Sequence, residues 1–365
     1  MSIFDVRHQP RAHRILQRAL VAERLPHAYI FHGPDGVGKE ALAVELAGVL
    51  LCAEPKRFDG GSVRELGDWS GPVRDRCGRC DDCRVVSPGT HPDLHLIYRR
   101  LNRAHPDKTV RDRKAIDLGV DVIRHFVIDA VGLKPGRGRA KVFILREADM
   151  MSPAAQNALL KTLEEPPAAT FLILLVSLLD RLLPTTLSRC QQVPFMPLPL
   201  GFLVEQLRRR QPGLTERQAD FVARLSLGSL GAALQYADDR LFERNERILA
   251  KLANLPHAGA LAVAKELLDE ARTLGEPFRK RNSDLSETET LRQGLLTLLA
   301  ILANFYGGFL RGDRNDGDAG SAGSITPEAG AEAISAIGTA ERQIDRNASP
   351  PLCLESLVFH LARLR

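Results

Sequence analysis

The sequence predicts an α/β domain with a mostly parallel sheet around a phosphate-binding loop, followed by an all-helical remainder. Three observations carry this. The run Gly33-Pro-Asp-Gly36-Val-Gly38-Lys39 has the spacing of a phosphate-binding loop. Short apolar runs alternate with helical patterns as far as Pro199, as in a parallel sheet covered on both faces. Strand signals then stop at Val193-Pro-Phe-Met-Pro-Leu-Pro199, where three prolines within six residues mark a domain boundary.

Taken in order, His27 to His32 is a short strand leading into the glycine loop. Glu40 to Leu51 follows with helical spacing at Leu42, Val44, Leu46 and Leu50. Arg57 to Arg76 is rich in Gly, Asp and Arg without periodicity and reads as an inserted loop. Val120 to Val131 reads as a helix, Lys141 to Leu145 as a buried strand, and Ser152-Pro153 as the N-cap and first turn of another helix. Phe171 to Val176 is a further buried strand, and Leu178 to Thr186 is helix-like. Beyond the prolines, Thr215 starts a helix at Glu216 that Gly228 is expected to end. The stretch 307–330, low in complexity and rich in Gly, Asp, Ala and Ser, reads as disordered.

With 365 residues the chain exceeds one ordinary core, and 44% apolar residues suffice to fill several. Fifty basic against 45 acidic residues give +5, which permits nucleic-acid contact without demanding it. The N-terminus lacks a charged-then-apolar signal pattern, and the longest largely apolar stretch, Phe171 to Leu179, is about half a membrane span. The expectation is a soluble cytoplasmic protein with no membrane partner. In that compartment the cluster Cys77-Gly-Arg-Cys80-Asp-Asp-Cys83 points to a metal site rather than to disulfides.

In the glycine loop, backbone N–H groups around Gly33, Gly36 and Gly38 would cradle phosphate at a helix N-terminus, with Lys39 on the terminal phosphates. The next residue, where such loops carry the Ser or Thr that ligates Mg²⁺, is Glu40. The strand Lys141 to Leu145 should end in a metal-holding Asp, and instead ends in Arg146 followed by Glu147. Phosphoryl transfer needs both Mg²⁺ ligands, so ATP hydrolysis is not expected, while ATP binding stays open. Cys77, Cys80 and Cys83 supply three ligands to a structural Zn²⁺, with Cys52 the choice for the fourth and His91 its competitor. A zinc-dependent DNA-binding module is disfavoured by Asp81 and Asp82 inside the cluster and by the lack of an aromatic stacking platform. Arg189, taken alone, reads as a solvated surface charge.

Lys141-Val-Phe-Ile-Leu145, Asn157-Ala-Leu-Leu-Lys161-Thr-Leu-Glu-Glu165-Pro-Pro167 and Ser188-Arg-Cys190, with the cysteine module, resemble the bacterial clamp-loader ATPases of the AAA+ class. Gly89-Thr-His-Pro-Asp93 and Leu118-Gly-Val-Asp121 resemble the delta-prime branch of the DNA polymerase III loader rather than the gamma/tau branch. The resemblance is dense over the first 200 residues and architectural thereafter. It implies an AAA+ parallel-sheet domain over 1–198 with the zinc module at about 52–83, a small helical lid over 199–239, and a helical collar over 240–365 that serves for oligomerisation. It also implies a pentameric loader, with gamma/tau and delta subunits as partners, that closes a sliding clamp around primed DNA as part of a polymerase holoenzyme. Within it this chain would not hydrolyse ATP, and Arg189 would be an arginine finger entering a neighbour's ATP site. Gly231 stands where active relatives carry a phosphate-sensing Arg, and Glu147 at the position of the water-activating Glu. The competing expectation is a working ATPase of the gamma/tau type, with Glu40 as an unusual Mg²⁺ ligand.

Overall fold

The computed structural model describes residues 2–137, 139–253, 259–282, 286–312, 325–346 and 348–364. The chain divides into two compact units: Met1–Phe202 with Gly228–Ala232, and Leu203–Leu227 with Ala233–Arg365.

The first unit is built on a five-stranded sheet. Its strands are β1 (Ala28–His32), β4 (Leu94–Ile97), β5 (Lys141–Leu145), β6 (Thr170–Val176) and β7 (Gln191–Pro194), in the order β4-β5-β6-β1-β7 and all parallel. A sheet covered on both faces calls for near-continuous apolar strands. All five residues of β5 are buried, and in β6 only Phe171 is partly exposed. Helices α1 (Pro10–Ala22), α2 (Lys39–Leu51), α3 (Asp81–Val86), α4 (Pro153–Glu164) and α5 (Pro184–Leu187) belong to this unit. Ser152 caps α4 by accepting from the Ala155 N–H, with Pro153 in the first turn.

The strand expectations at 27–32, 141–145 and 171–176 and the helices after Gly38 and Ser152 match to within a residue. One more holds with a refinement, and two need correction. Val120 to Val131 is helical throughout but widens into a π segment over Arg124–Ile128, which keeps Val122, Ile123, Val127 and Val131 all in the core beneath the sheet. The helix-like Leu178 to Thr186 is a single 3₁₀ turn, Leu179–Arg181, followed by the short α5. Arg57 to Arg76 is not a plain loop: β2 (Lys56–Asp59) and β3 (Pro72–Asp75) pair antiparallel in it. Gln17 of α1 bonds both backbone groups of Arg74 and fixes the hairpin's returning strand.

The second unit is helical. Past the shared α6 (Leu200–Arg210), it contains α7 (Glu216–Leu225), most of α8 (Leu230–Asp238), α9 (Leu241–Ala253), α10 (Ala260–Arg281), α11 (Glu287–Arg311), α12 (Pro327–Asp345) and α13 (Pro350–Arg363). A Thr215–Gln218 capping box starts α7 as expected, but the helix ends at Leu225 rather than at Gly228. Gly228 instead lets the backbone press onto Pro197: an added Cβ would lie 2.4 Å from the Pro197 Cβ. Helices α10 and α11 cross so closely that a Cβ on Gly294 would sit 1.8 Å from the Ala271 carbonyl oxygen, and one on Gly275 2.2 Å from that of Thr290. The disorder expected over 307–330 is corrected at both ends, where Gly307–Arg311 close α11 and Pro327–Gly330 open α12. Residues 313–324 lie outside the described residues. Helix α11 also holds a longer apolar run than Phe171 to Leu179; it is the one helix among the described residues long and apolar enough to cross a membrane, and half of that run is buried in the unit.

Candidate nucleotide site and cysteine cluster

The parallel strands aim their C-terminal ends at one edge, where α/β sheets place their ligands. Gly33 follows β1, Arg146 and Glu147 follow β5, and Ser177 follows β6. The loop itself needs glycine. Gly33, Gly36 and Gly38 have φ of 140°, 71° and 105°, and Gly38 is the N-cap of α2. A Cβ on Gly36 would meet Ser229 Oγ at 2.4 Å, and the Gly231 N–H donates to the Gly36 carbonyl at 3.3 Å. Gly231 therefore packs on the loop with its backbone.

Lys39 is 7% exposed, and its ammonium is fully engaged by its own surroundings. It donates to the carbonyls of Gly33 and Pro34 (2.8 Å to the latter), to Asp35 Oδ1 at 3.1 Å and to Ser177 Oγ at 3.3 Å. The Ser177 hydroxyl in turn donates to Asp35. Glu40 and Arg146, the two departures at the metal positions, form an ion pair with each other. The Arg146 guanidinium also lies over the Tyr98 ring, 5.8 Å from its centroid. Glu147, in a left-handed conformation at φ 52°, is gripped by Arg99 through two hydrogen bonds of 2.8 and 2.7 Å. Arg99 is further held by the Ile116 carbonyl at 3.0 Å, and its bonds to Glu147 hold its pKa above the usual range. The phosphate half of the site thus keeps its glycines, helix N-terminus and lysine. The metal half does not fit Mg²⁺, because Glu40, the carboxylate at the position that ligates the ion, is spent on an arginine.

Arg189 follows α5 and precedes β7. Its guanidinium donates to the Thr185 carbonyl at 2.9 Å and pairs with Glu164 at 2.5 Å, while a third of the side chain stays exposed.

The cysteines converge. Cys52 at the end of α2, Cys77 after β3, and Cys80 and Cys83 at the start of α3 have all four Sγ atoms within 4.8 Å of one another. The Cys52–Cys80 and Cys77–Cys83 separations are both 3.9 Å. Zinc–sulfur bonds of about 2.3 Å at tetrahedral angles set sulfurs about 3.8 Å apart, so the cluster fits such an ion. Backbone N–H groups of Cys77, Arg79, Cys80 and Cys83 donate to cluster sulfurs at 3.2–3.5 Å, the arrangement that stabilises thiolates. Donation from Arg79 and Cys80 pulls the Cys77 thiol down to about 6, whereas burial pushes Cys52 and Cys83 up. His91 is engaged elsewhere: its Nδ1 accepts from the Asp93 N–H at 3.0 Å and its Nε2 faces Asp82 at 3.4 Å. Beneath the cluster, Arg76 forms a buried ion pair of 3.0 Å with Glu45 of α2, tying the cysteine module to the helix that starts at the phosphate loop.

The glycines, Lys39, Glu40, Arg146, Glu147 and the cysteines are legible in the sequence, whereas the parts of Asp35, Ser177, Arg99 and the Arg76–Glu45 pair are not. Only Asp35 left a local signal, an acid four residues before Lys39.

A family model described as DNA polymerase III, delta subunit, matches residues 8–199. The DNA polymerase III subunit delta' of Bacillus subtilis is 34% identical over 191 residues, 52% of this chain and 48% of that protein. That of Escherichia coli is 33% identical over 234 residues, 64% of this chain and 60% of the relative. The tau subunit of Salmonella typhimurium is 31% identical over 278 residues, 73% of this chain and 38% of its own length. The matched stretches thus span less than two thirds of each of these relatives. With the match resting on the unit that holds both the loop and the cysteine cluster, the chain belongs to the DNA polymerase III delta subunit family, on its delta-prime branch.

Proposed function

We propose that this chain is a cytoplasmic clamp-loader subunit that performs no ATP hydrolysis itself and completes the catalysis of a neighbour. It assembles with gamma/tau and delta subunits, and the complex places a sliding clamp on primed DNA. Arg189 enters the adjacent gamma/tau ATP site and stabilises charge on the transferring phosphoryl group, a contribution of about 10³-fold or more in rate. To do so it exchanges Glu164, its carboxylate partner in the isolated chain, for phosphate oxygens. The cysteine cluster holds Zn²⁺ as a structural ion, and the lid over 199–239 and the collar over 240–365 remain our assignment for the helical part.

The observation that carries the reading is the pairing of Glu40 with Arg146, which removes both protein ligands of a catalytic Mg²⁺ in a chain of the delta-prime branch. It weighs against the gamma/tau type of activity. The test is ATP turnover by the chain alone and then mixed with the gamma/tau and delta subunits of its own organism, using wild type and Arg189→Ala in parallel. The expected result is silence alone and a large loss of DNA-stimulated turnover in the Arg189→Ala mixture. Turnover by the isolated chain, or an unchanged mixture, would sink the proposal.

A further inference from the structure

Each charge that a metal-bound nucleotide would satisfy already has a partner within the chain. Lys39 is answered by Asp35 and two loop carbonyls, Glu40 by Arg146, and Glu147 by Arg99. We propose that the site is filled by the chain's own side chains, with Asp35 standing as the anion against Lys39 and Ser177, and Arg146 standing as the cation against Glu40. The loop therefore keeps its shape without nucleotide or metal. This deepens the non-hydrolysing reading and rests on it only in that respect.

The two halves differ in strength. The Asp35 side chain is 85% exposed, so it is an occupant that phosphate can displace, and its departure leaves a buried ammonium ready to donate. Arg146 is held harder. It spans from Glu40 to the face of Tyr98, and its backbone N–H is fixed to the Ile97 carbonyl at 2.8 Å. A cation built into the chain cannot be exchanged for a divalent ion without breaking that pair. Any nucleotide that does bind will therefore do so through its phosphates alone and will be indifferent to Mg²⁺. The backbone around Gly231, bonded to Gly36, closes the loop from outside and adds no side-chain cation to recruit one.

The experiment is equilibrium binding of a fluorescent N-methylanthraniloyl-ATP to the full chain, in excess Mg²⁺ and in EDTA, with thermal unfolding as a control for folding. Wild type should bind weakly and equally in both buffers. Asp35→Asn, a same-size change at an exposed side chain, should bind about tenfold tighter and stay indifferent to EDTA, as expected when one charge-assisted hydrogen bond no longer has to be displaced. The double change Glu40→Thr with Arg146→Asp should make binding depend on Mg²⁺. The proposal is overturned if wild-type binding is lost in EDTA, or if Asp35→Asn binds no tighter than wild type. The loader reading fails separately, through turnover by the isolated chain or indifference of the assembled complex to Arg189, and neither outcome is read by this titration.

Discussion

The cysteine cluster and the phosphate loop lie in one unit and are joined by the Arg76–Glu45 pair, yet they stand in opposite electrostatic conditions. Around the cysteines, four sulfurs converge on one point with backbone N–H groups as their donors, an arrangement that fits a single cation. Around the loop, the lysine and both acids find counter-ions along the chain itself. Substitutions of one sign at a ligand site can thus be absorbed when substitutions of the other sign fall opposite them. Glu40 in place of a hydroxyl would crowd negative charge beside Lys39's phosphates, and Arg146 in place of an acid would leave a cation half-buried, but together they neutralise each other. The cluster is balanced differently, by backbone N–H donors to its sulfurs and by burial that keeps Cys52 and Cys83 protonated.

The comparison is broken most forcefully at the cysteines. Removing the proposed zinc with a chelator, or replacing Cys83 by Ser, should cost the module most of its metal-linked stability, on the order of 10 kcal/mol in small zinc domains. The expected readout is rapid hydrogen exchange over 52–87 with slow exchange retained in α11. Because Cys52 and Cys83 are held protonated by burial, metal binding should release protons and weaken as pH falls, and below about 6 Cys77 adds its own proton to the competition. Calorimetric titration in two buffers of different ionisation enthalpy measures that release, and pH-independent affinity would contradict it. Next in size is Glu45→Ala, which takes from the buried Arg76 its carboxylate partner and should cost up to about 3–5 kcal/mol in denaturant unfolding. A loss below about 1 kcal/mol would show that the module and the loop helix are not coupled through this pair. Smallest is Arg99→Ala. Glu147 is 44% exposed and regains water, so the expected loss is about 1 kcal/mol or less in the same assay.

The strands β1, β5 and β6 were legible because burial on both faces writes itself as uninterrupted apolar runs, and the loop because only glycine tolerates its backbone angles. The four cysteines were legible as residue types, and Cys52 as a candidate. What the sequence concealed was pairing at a distance. All four residues of β2, Lys56 to Asp59, are exposed, so the strand carries no alternation to betray it, and its partner starts with a proline. Arg99 meets Glu147 across 48 positions and Arg146 meets Glu40 across 106, separations at which local periodicity is silent. The expectation of disorder at 307–330 failed at its ends for a related reason: Gly307 is buried in α11, where packing overrides the low helix preference of glycine.

The hairpin changes what kind of object the cysteine module is. Cys52 and Cys77 stand 25 positions apart, a separation that would weigh against them as ligands of one ion in a flexible chain. Pairing of Lys56 with Asp75 leaves only residues 53–55 on one side and Arg76 on the other, so the ring that an ion held by the cluster would close is that of a short knuckle. By loop-closure entropy the shortening is worth about 1.5 kcal/mol. The material beyond that zipped stem, from Gly60 to Gly71, is a second anchor rather than a slack tip. Leu66 is fully buried and its carbonyl accepts from Arg14 of α1 at 2.9 Å, while Glu65 accepts from the His8 N–H at 2.9 Å. The stem is thus held at both its ends, and the geometry of the four sulfurs is set before any ion binds.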